Sequence, residues 1–165
     1  MLKDKGLIEL VNATKKLYEN IKDFELILTG SPDNGNPETV SEEWLVNISS
    51  HPAIKWVGFV KDSRKMIDDC HVMILPSYRE GLSQSLLEGI AMGMPIITTD
   101  VPGCRELIDG NGFLVEAKNK DDLCESMEEM LLNKDLLSKM SKKSIQISKN
   151  FRTSKINDQL LFLYN

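Results

Sequence analysis

The chain has 165 residues, 41% apolar and 27% charged, which fits one folded domain with its own core and excludes a disordered chain. Twenty basic against 25 acidic residues give a net charge of −5, the opposite of the basic stripe expected of a nucleic-acid binder. No apolar run reaches the roughly 18 residues of a membrane span, no signal peptide is expected, and three widely spaced cysteines (Cys70, Cys104, Cys124) argue against a disulfide framework and for a reducing, cytosolic compartment.

Leu7, Leu10, Val11, Thr14, Leu17, Tyr18 and Ile21 recur at helical spacing. Phe24 to Thr29 is a short apolar run ended by Gly30, which predicts a strand. The stretch from Pro37 to about Ser49 predicts a helix, with Glu38, Glu42 and Glu43 near its positive end. Ile54 to Val57 is a second strand stopped by Gly58, and Asp62 to Asp69 a short helix capped by Asp62 or Ser63. Val72 to Leu75 is apolar on both faces, as a central parallel strand should be. A loop from Pro76 to Leu82 leads into a helix from Ser83 to Met92. Gly93 suits its left-handed C′ position and Pro95 prevents continuation. A fourth strand follows over Pro95–Thr99, then a short helix over Gly103–Ile108 and a last strand over Gly112–Val115. Three helices close the chain. The first carries Leu123, Met127, Met130 and Leu131, the second runs from Lys134 to Ser148, and the third carries Ile156, Leu160, Leu163 and Tyr164.

Strands and helices alternating with short loops imply an α/β fold, a Rossmann-like parallel sheet with helices on both faces. Ligands of such folds bind beyond the carboxyl ends of the strands, here the loops 30–36, 58–62, 76–83 and 99–104. The chain opens on a helix where a doubly wound fold usually opens on a strand. Either this fold lacks that strand or the chain is part of a longer one. A metal site is not expected: His51 and His71 share no ligand spacing with a cysteine pair, Cys70 and His71 would point to opposite faces of a strand, and no Asp-x-Asp occurs.

The loop after the third strand carries the chemistry. Glu80 would lie before the helix and Glu88 on it. Gly81 would allow close backbone approach, and the amides of Leu82 to Ser85 would be free donors at a helix N-terminus, suited to a diphosphate. Helical side chains tilt toward the N-terminus, so Glu88 would lean back toward that place and could accept both hydroxyls of a ribose. Glu80 could accept from a second polyol. A plainer reading stands beside this one: Ser85-Leu86-Leu87-Glu88 matches a capping box of a helix that starts later, with Glu80 an ordinary loop carboxylate.

Glu80 to Glu88 resembles the Glu-x7-Glu motif of retaining glycosyltransferases of family 4, which have the GT-B fold. The flanking segments Trp56–Val60, Cys70–Ser77, Glu88–Ile97, Asp100–Glu106 and Gly110–Val115 resemble the same family in order. The resemblance implies that the chain, residues 1–165, is one half of a GT-B fold, the C-terminal donor-binding domain. The N-terminal acceptor domain, and the strand before Met1, would be absent. It implies that Glu88 binds the donor ribose and that Glu80 contacts sugar hydroxyls near the reacting centre. The backbone of Gly81, Leu82 and Ser83 would hold sugar and phosphate oxygens. Phe59 and Val60 would meet the base, and Gly30 and Ser31 would line the cleft. Leu2 to Gly6 resembles the end of an Arg-x4-Lys-Gly segment whose Arg would fall before Met1. Lys5 would then neutralise the departing diphosphate, where the residues alone suggest only a solvated lysine.

The implied function is hexosyl transfer from a nucleotide sugar, UDP by family frequency, to a glycan or lipid-diphosphate-linked acceptor of bacterial surface polysaccharide, with no cofactor and no metal. Peripheral contact with the inner membrane face would belong to the other domain. The segment from Asn150 onward resembles a tail that packs on that domain. A UDP-sugar epimerase-like enzyme on the same fold and a non-catalytic sugar-nucleotide module remain as alternatives.

Overall fold

A computed structural model describes residues 1–152. The third predicted closing helix, with Ile156, Leu160, Leu163 and Tyr164, lies outside the described residues.

Among the described residues there are five short strands and six helices: α1 (Leu7–Asn20), β1 (Leu26–Leu28), α2 (Glu42–Ile48), β2 (Ile54–Trp56), α3 (Ser63–Ile67), β3 (Met73–Leu75), α4 (Gln84–Ala91), β4 (Ile96–Thr99), β5 (Gly112–Val115), α5 (Lys120–Leu132) and α6 (Lys134–Ser148). All strand pairs are parallel. β1 pairs with β2, and β3, β4 and β5 form a second group with β4 in the middle. The fold class is the expected one, but β3 is not a central strand among the described residues. Its three residues are only half-buried, whereas all four of β4 are buried.

β4 separates two cores. Ile97 faces one built from α1, β1, β2, α2 and α5, with Leu10, Leu17, Leu45, Leu123 and Met130 buried in it. Its neighbour Ile96 faces the other, built from α4, Leu107 and the end of α6, with Leu86 and Ile90 wholly buried. Successive strand residues point to opposite faces, so one strand serves both cores. α6 bridges them, Met140 entering the first and Ile147 the second. Burial of each Leu or Ile side chain contributes roughly 1.5–3 kcal/mol.

Several predicted boundaries move. α2 starts at Glu42, capped by Ser41, whose hydroxyl accepts from the Trp44 amide. Residues 36–40 instead meet the start of the chain: Lys3 N donates to Glu38 O and Val40 N to Met1 O. Distant partners thus take the backbone groups a helix would have used. Gly103–Ile108 reduces to a 3-10 turn over Arg105–Leu107. Cys70 and His71 lie in the turn before β3 and not on a strand. Asp62, not Ser63, caps α3 through its carboxylate. Gly93 is left-handed, as expected, with φ +78°. All three cysteines are free thiols, Cys104 and Cys124 buried. Among the described residues no helix is long and apolar enough to cross a membrane.

Candidate functional site

The loops that leave the carboxyl ends of the strands converge on residues 1–6. Met1 N donates to Ser31 O, just beyond β1. Tyr78 N donates to Asp4 O at 2.8 Å, just beyond β3. The first residues thus run from the end of β1 to the end of β3, and a 3-10 turn over Lys3–Lys5 then leads through Gly6 into α1. Gly6 has φ +69°, and a Cβ there would lie 2.0 Å from Pro76 O. Only glycine permits both that conformation and that approach.

This closeness brings Lys5 to Glu80. Lys5 Nζ donates to Glu80 Oε1 at 2.8 Å. Glu80 is the more enclosed partner, 12% exposed against 39% for Lys5. The loop carrying Glu80 is fixed from both sides. Behind it, Ser77 is fully buried, its hydroxyl 3.0 Å from Arg79 O and 3.2 Å from Asp4 O, which share its one proton. Ahead of it, Gly103 (φ +85°) comes so close that a Cβ would lie 1.7 Å from Gly81 O. Gly81 itself has open space on its Cβ side, so a ligand can reach its backbone.

α4 begins at Gln84 with Ser83 as its cap, the Ser83 hydroxyl accepting from Leu86 N at 3.4 Å. The capping box starting at Ser85 is therefore not formed, and Glu88 lies within the helix, exposed. One expectation is corrected. The Ser83 amide is not a free donor, because it donates to Gly103 O at 3.4 Å, and Ser83 O accepts from Leu87 N. Ser83 is buried, and its backbone and hydroxyl serve the loop and the helix. Gln84 and Ser85 supply the first-turn amides that have no acceptor inside the helix.

Gly30 and Phe59 belong to one neighbouring edge. Gly30 N donates to Gly58 O at 2.7 Å, and the Trp56 indole donates to Gly30 O at 2.8 Å, tying the loop after β1 to the loop after β2. Phe59 is 76% exposed and Leu82 50%, high values for large apolar side chains. Val60 is half-buried.

Sequence reasoning missed the groups that surround the pair. Tyr78 Oη donates to Glu9 Oε2 at 2.6 Å. Burial, and next the Glu9 carboxylate, push the Tyr78 hydroxyl well above the usual tyrosine range, so it is a donor at neutral pH. Lys118, left-handed at φ +65°, places its ammonium 4.8 Å from the Tyr78 ring centroid. Arg79 Nε lies 3.5 Å from Asp4 Oδ2, while Asp4 Oδ1 is buried with no hydrogen-bond partner among the described residues. Cys104 is buried close to Glu80, and burial raises its thiol above the ordinary range, which leaves it inert. Only the folded topology joins residues so far apart in the chain.

A cavity of about 330 Å³ lies elsewhere, lined by Cys70, His71, Met92, Gly93, Met94 and Ser141 among others. Cys70 and His71 precede β3, Met92, Gly93 and Met94 precede β4, and Ser141 lies on α6, so the cavity sits at the opposite end of the strands from Lys5 and Glu80. Among the described residues, no three His, Cys, Asp or Glu side chains cluster to hold a metal.

The profile of the family "Glycosyl transferases group 1" matches residues 1–133. The chain belongs to the group 1 glycosyl transferases. It is 29% identical, over 98% of its length and 45% of the relative's, to an N,N'-diacetylbacillosaminyl-diphospho-undecaprenol alpha-1,3-N-acetylgalactosaminyltransferase of Campylobacter jejuni. It is 24% identical, over 100% of its length and 44% of the relative's, to the capsular polysaccharide biosynthesis glycosyltransferase CapM of Staphylococcus aureus. It thus spans less than half the length of these relatives. Among solved structures it resembles Anabaena HepE in complex with UDP-glucose, with TM-score 0.85 and 20% identity over 99% of this chain and 46% of that one. It also resembles the C-terminal domain of a group 1 family protein, LpcC, from Francisella tularensis, with TM-score 0.76 and 20% identity over 91% of this chain and 80% of that one. At these identities the likeness concerns the fold. The group 1 chain has the architecture of one half of a GT-B glycosyltransferase.

Proposed function

We propose that this chain is the donor-binding, C-terminal half of a retaining glycosyltransferase that moves a hexosyl group from a UDP-sugar to a hydroxyl of a glycan or lipid-diphosphate-linked acceptor in surface polysaccharide synthesis. The observation that carries the reading is the Lys5–Glu80 pair at 2.8 Å, set beyond the carboxyl ends of the strands and beside the start of α4 in a member of this family. In the transfer, the bond from the sugar C1 to the diphosphate oxygen breaks, a new bond forms from C1 to the acceptor oxygen, and the proton of the acceptor hydroxyl passes to the departing diphosphate oxygen. The charge left on the diphosphate meets the Lys5 ammonium and the first-turn amides of α4, as in other electrostatically stabilised reactions. An ammonium has three protons, so Lys5 can keep Glu80 and still donate to phosphate oxygens. Glu80 accepts from sugar hydroxyls, with Gly81 and Leu82 lining the same subsite. Glu88 accepts from the ribose. Phe59, Val60, Gly30 and Ser31 line the base side.

Support for UDP comes from the fold shared with HepE, whose structure holds UDP-glucose. Support for a lipid-diphosphate or capsular acceptor comes from the names of the C. jejuni and S. aureus relatives. The acceptor is assigned to an N-terminal domain of the same protein, since the relatives are more than twice as long as the matched stretch. The strand expected before Met1 would pair between β1 and β3, whose carboxyl ends residues 1–6 already connect. The protein is assigned to the cytoplasm, with peripheral membrane contact through the other domain, and with neither metal nor cofactor.

Calorimetric titration with UDP in the absence of metal, beside Glu88→Ala, tests this. Saturable binding weakened tenfold or more by the substitution, about 1.4 kcal/mol, supports the reading. Equal binding by both proteins removes the role given to Glu88. Transfer activity is then sought with the chain joined to its N-terminal domain.

A further inference from the structure

We propose that Tyr78 is a positioning residue for the Lys5–Glu80 pair, gripping the Lys5 turn on both sides through Asp4 and Glu9. The inference rests on the donor-site reading for its consequence, but its geometry stands alone. Lys5 sits on a three-residue 3-10 turn, an element with poor hydrogen bonding and little stiffness of its own. Tyr78 holds what lies on either side of it. Its amide donates to Asp4 O at 2.8 Å, one residue before Lys5. Its hydroxyl donates to Glu9 Oε2 at 2.6 Å, in the first turn of α1 four residues after Lys5. Glu80 follows Tyr78 by two positions on the same loop. One residue thus sets the register between the loop bearing the carboxylate and the turn bearing the ammonium.

The choice of side chain supports this. A half-buried phenol donating to a carboxylate makes a short, charge-assisted bond with a narrow geometry, where a packed apolar residue would hold the two segments together without fixing their register. Lys118 adds a contact from the loop between β5 and α5, its ammonium over the Tyr78 ring.

The test uses the full chain and three variants: Tyr78→Phe, which removes only the hydroxyl, Glu9→Ala, and Glu9→Gln, which keeps an acceptor. Amide hydrogen exchange is followed at Gly6 and residue 78, whose amides donate to Lys3 O and Asp4 O, and at Ile97 and Thr98 of β4. Tyr78→Phe and Glu9→Ala should speed exchange at Gly6 and residue 78 tenfold or more and leave β4 unchanged, while Glu9→Gln restores most of the protection. Unchanged exchange at Gly6 and residue 78 overturns the proposal, as does equal acceleration in β4, which would make the bond a general structural one. If Tyr78→Phe does not fold, the two Glu9 variants give the same comparison.

UDP titration then separates the two readings. Tyr78→Phe should weaken UDP binding about fivefold in the natural background and not at all in Lys5→Ala. An equal loss in both backgrounds overturns action through Lys5. Failure of the unsubstituted chain to bind UDP overturns the donor-site reading, while the exchange result still decides the role of Tyr78 in placing Lys5.

Discussion

Lys5 and Glu80 lie 75 positions apart in the chain, and their charged atoms are 2.8 Å apart. One partner is 39% exposed, so solvent screens the pair and its contribution to stability stays within about 1 kcal/mol. The two roles given to the pair separate in binding. Lys5→Met should lower the melting temperature by no more than about 4 °C and weaken UDP and UDP-sugar alike, roughly tenfold. Glu80→Gln should leave UDP affinity nearly unchanged and remove only the extra affinity of the sugar-bearing donor. Calorimetry with both ligands and both variants checks this. Equal loss of UDP and UDP-sugar in Glu80→Gln would show that Glu80 does not face the sugar.

Two glycines of the same loop system should behave oppositely. At Gly103, alanine would need a left-handed backbone (φ +85°) and would put Cβ 1.7 Å from Gly81 O, a backbone atom that cannot swing away. Overpacking costs roughly 1–3 kcal/mol and the backbone conformation roughly 1–2 kcal/mol more. Gly103→Ala should therefore lower the melting temperature on the order of 10 °C. Gly81→Ala meets nothing within 4 Å and should melt like the natural chain. If the Gly81 backbone touches the donor, the same methyl should still weaken UDP-sugar binding, and thermal unfolding beside titration reads both effects.

What the sequence made legible follows from how local each signal is. β1 is readable as a short apolar run ended by Gly30, β2 because Gly58 stops it and β4 because Pro95 precedes it, and Gly93 because one turn of helix decides its conformation. The start of α2 is not. Pro37 and Glu38 look like a helix start, but Lys3 and Met1 claim the backbone of residues 38 and 40 from far away in the chain. Among the described residues β4 holds the middle of its group and β3 an edge, a difference composition alone does not carry. Glu80 is legible from its place in the loop before α4, with an ordinary loop carboxylate as the plainer reading, whereas Lys5 is legible only through a family resemblance, since a lysine in a first turn is ordinary. Tyr78 and Glu9, 69 positions apart, left no pattern at all. The hydrogen bond from the Ser83 amide to Gly103 O is likewise visible only in the fold.

The task assigned to Ser83 gives its own prediction. Its hydroxyl accepts from Leu86 N, and the residue is 3% exposed. Ser83→Ala removes the cap of α4 and should cost about 1 kcal/mol, a fall of roughly 2–4 °C in melting temperature. Ser83→Asp retains an acceptor at that position but buries a charge between the helix start and Gly103, so it should be worse than alanine. Were aspartate to restore stability, the space around Ser83 would be more open than the fold indicates.

The pH dependence of stability contains a contribution from His51. Its Nδ1 accepts from Ala53 N at 3.3 Å, and its ring meets Tyr18 edge-on at 5.0 Å. Burial first, then the charges of Lys15 and Lys22, lower its affinity for a proton below the ordinary value of 6.5. The unfolded chain therefore binds more protons than the folded one in the interval just below that value, and stability rises with pH there. The stabilisation is fully present above 6.5, is lost as pH falls through that value, and falls no further once His51 is protonated in the folded state too. Protonation also removes the Nδ1 lone pair that Ala53 N uses, so the bond and the charge balance fail together. His51→Asn keeps an acceptor two residues before Ala53 and does not titrate. The difference in melting temperature between the natural chain and His51→Asn should be most in favour of histidine near pH 8 and narrow steadily toward pH 5. Other groups that titrate in both proteins cancel in that difference. A difference that stays constant across the interval would mean that His51 is as easily protonated in the folded chain as in the unfolded one.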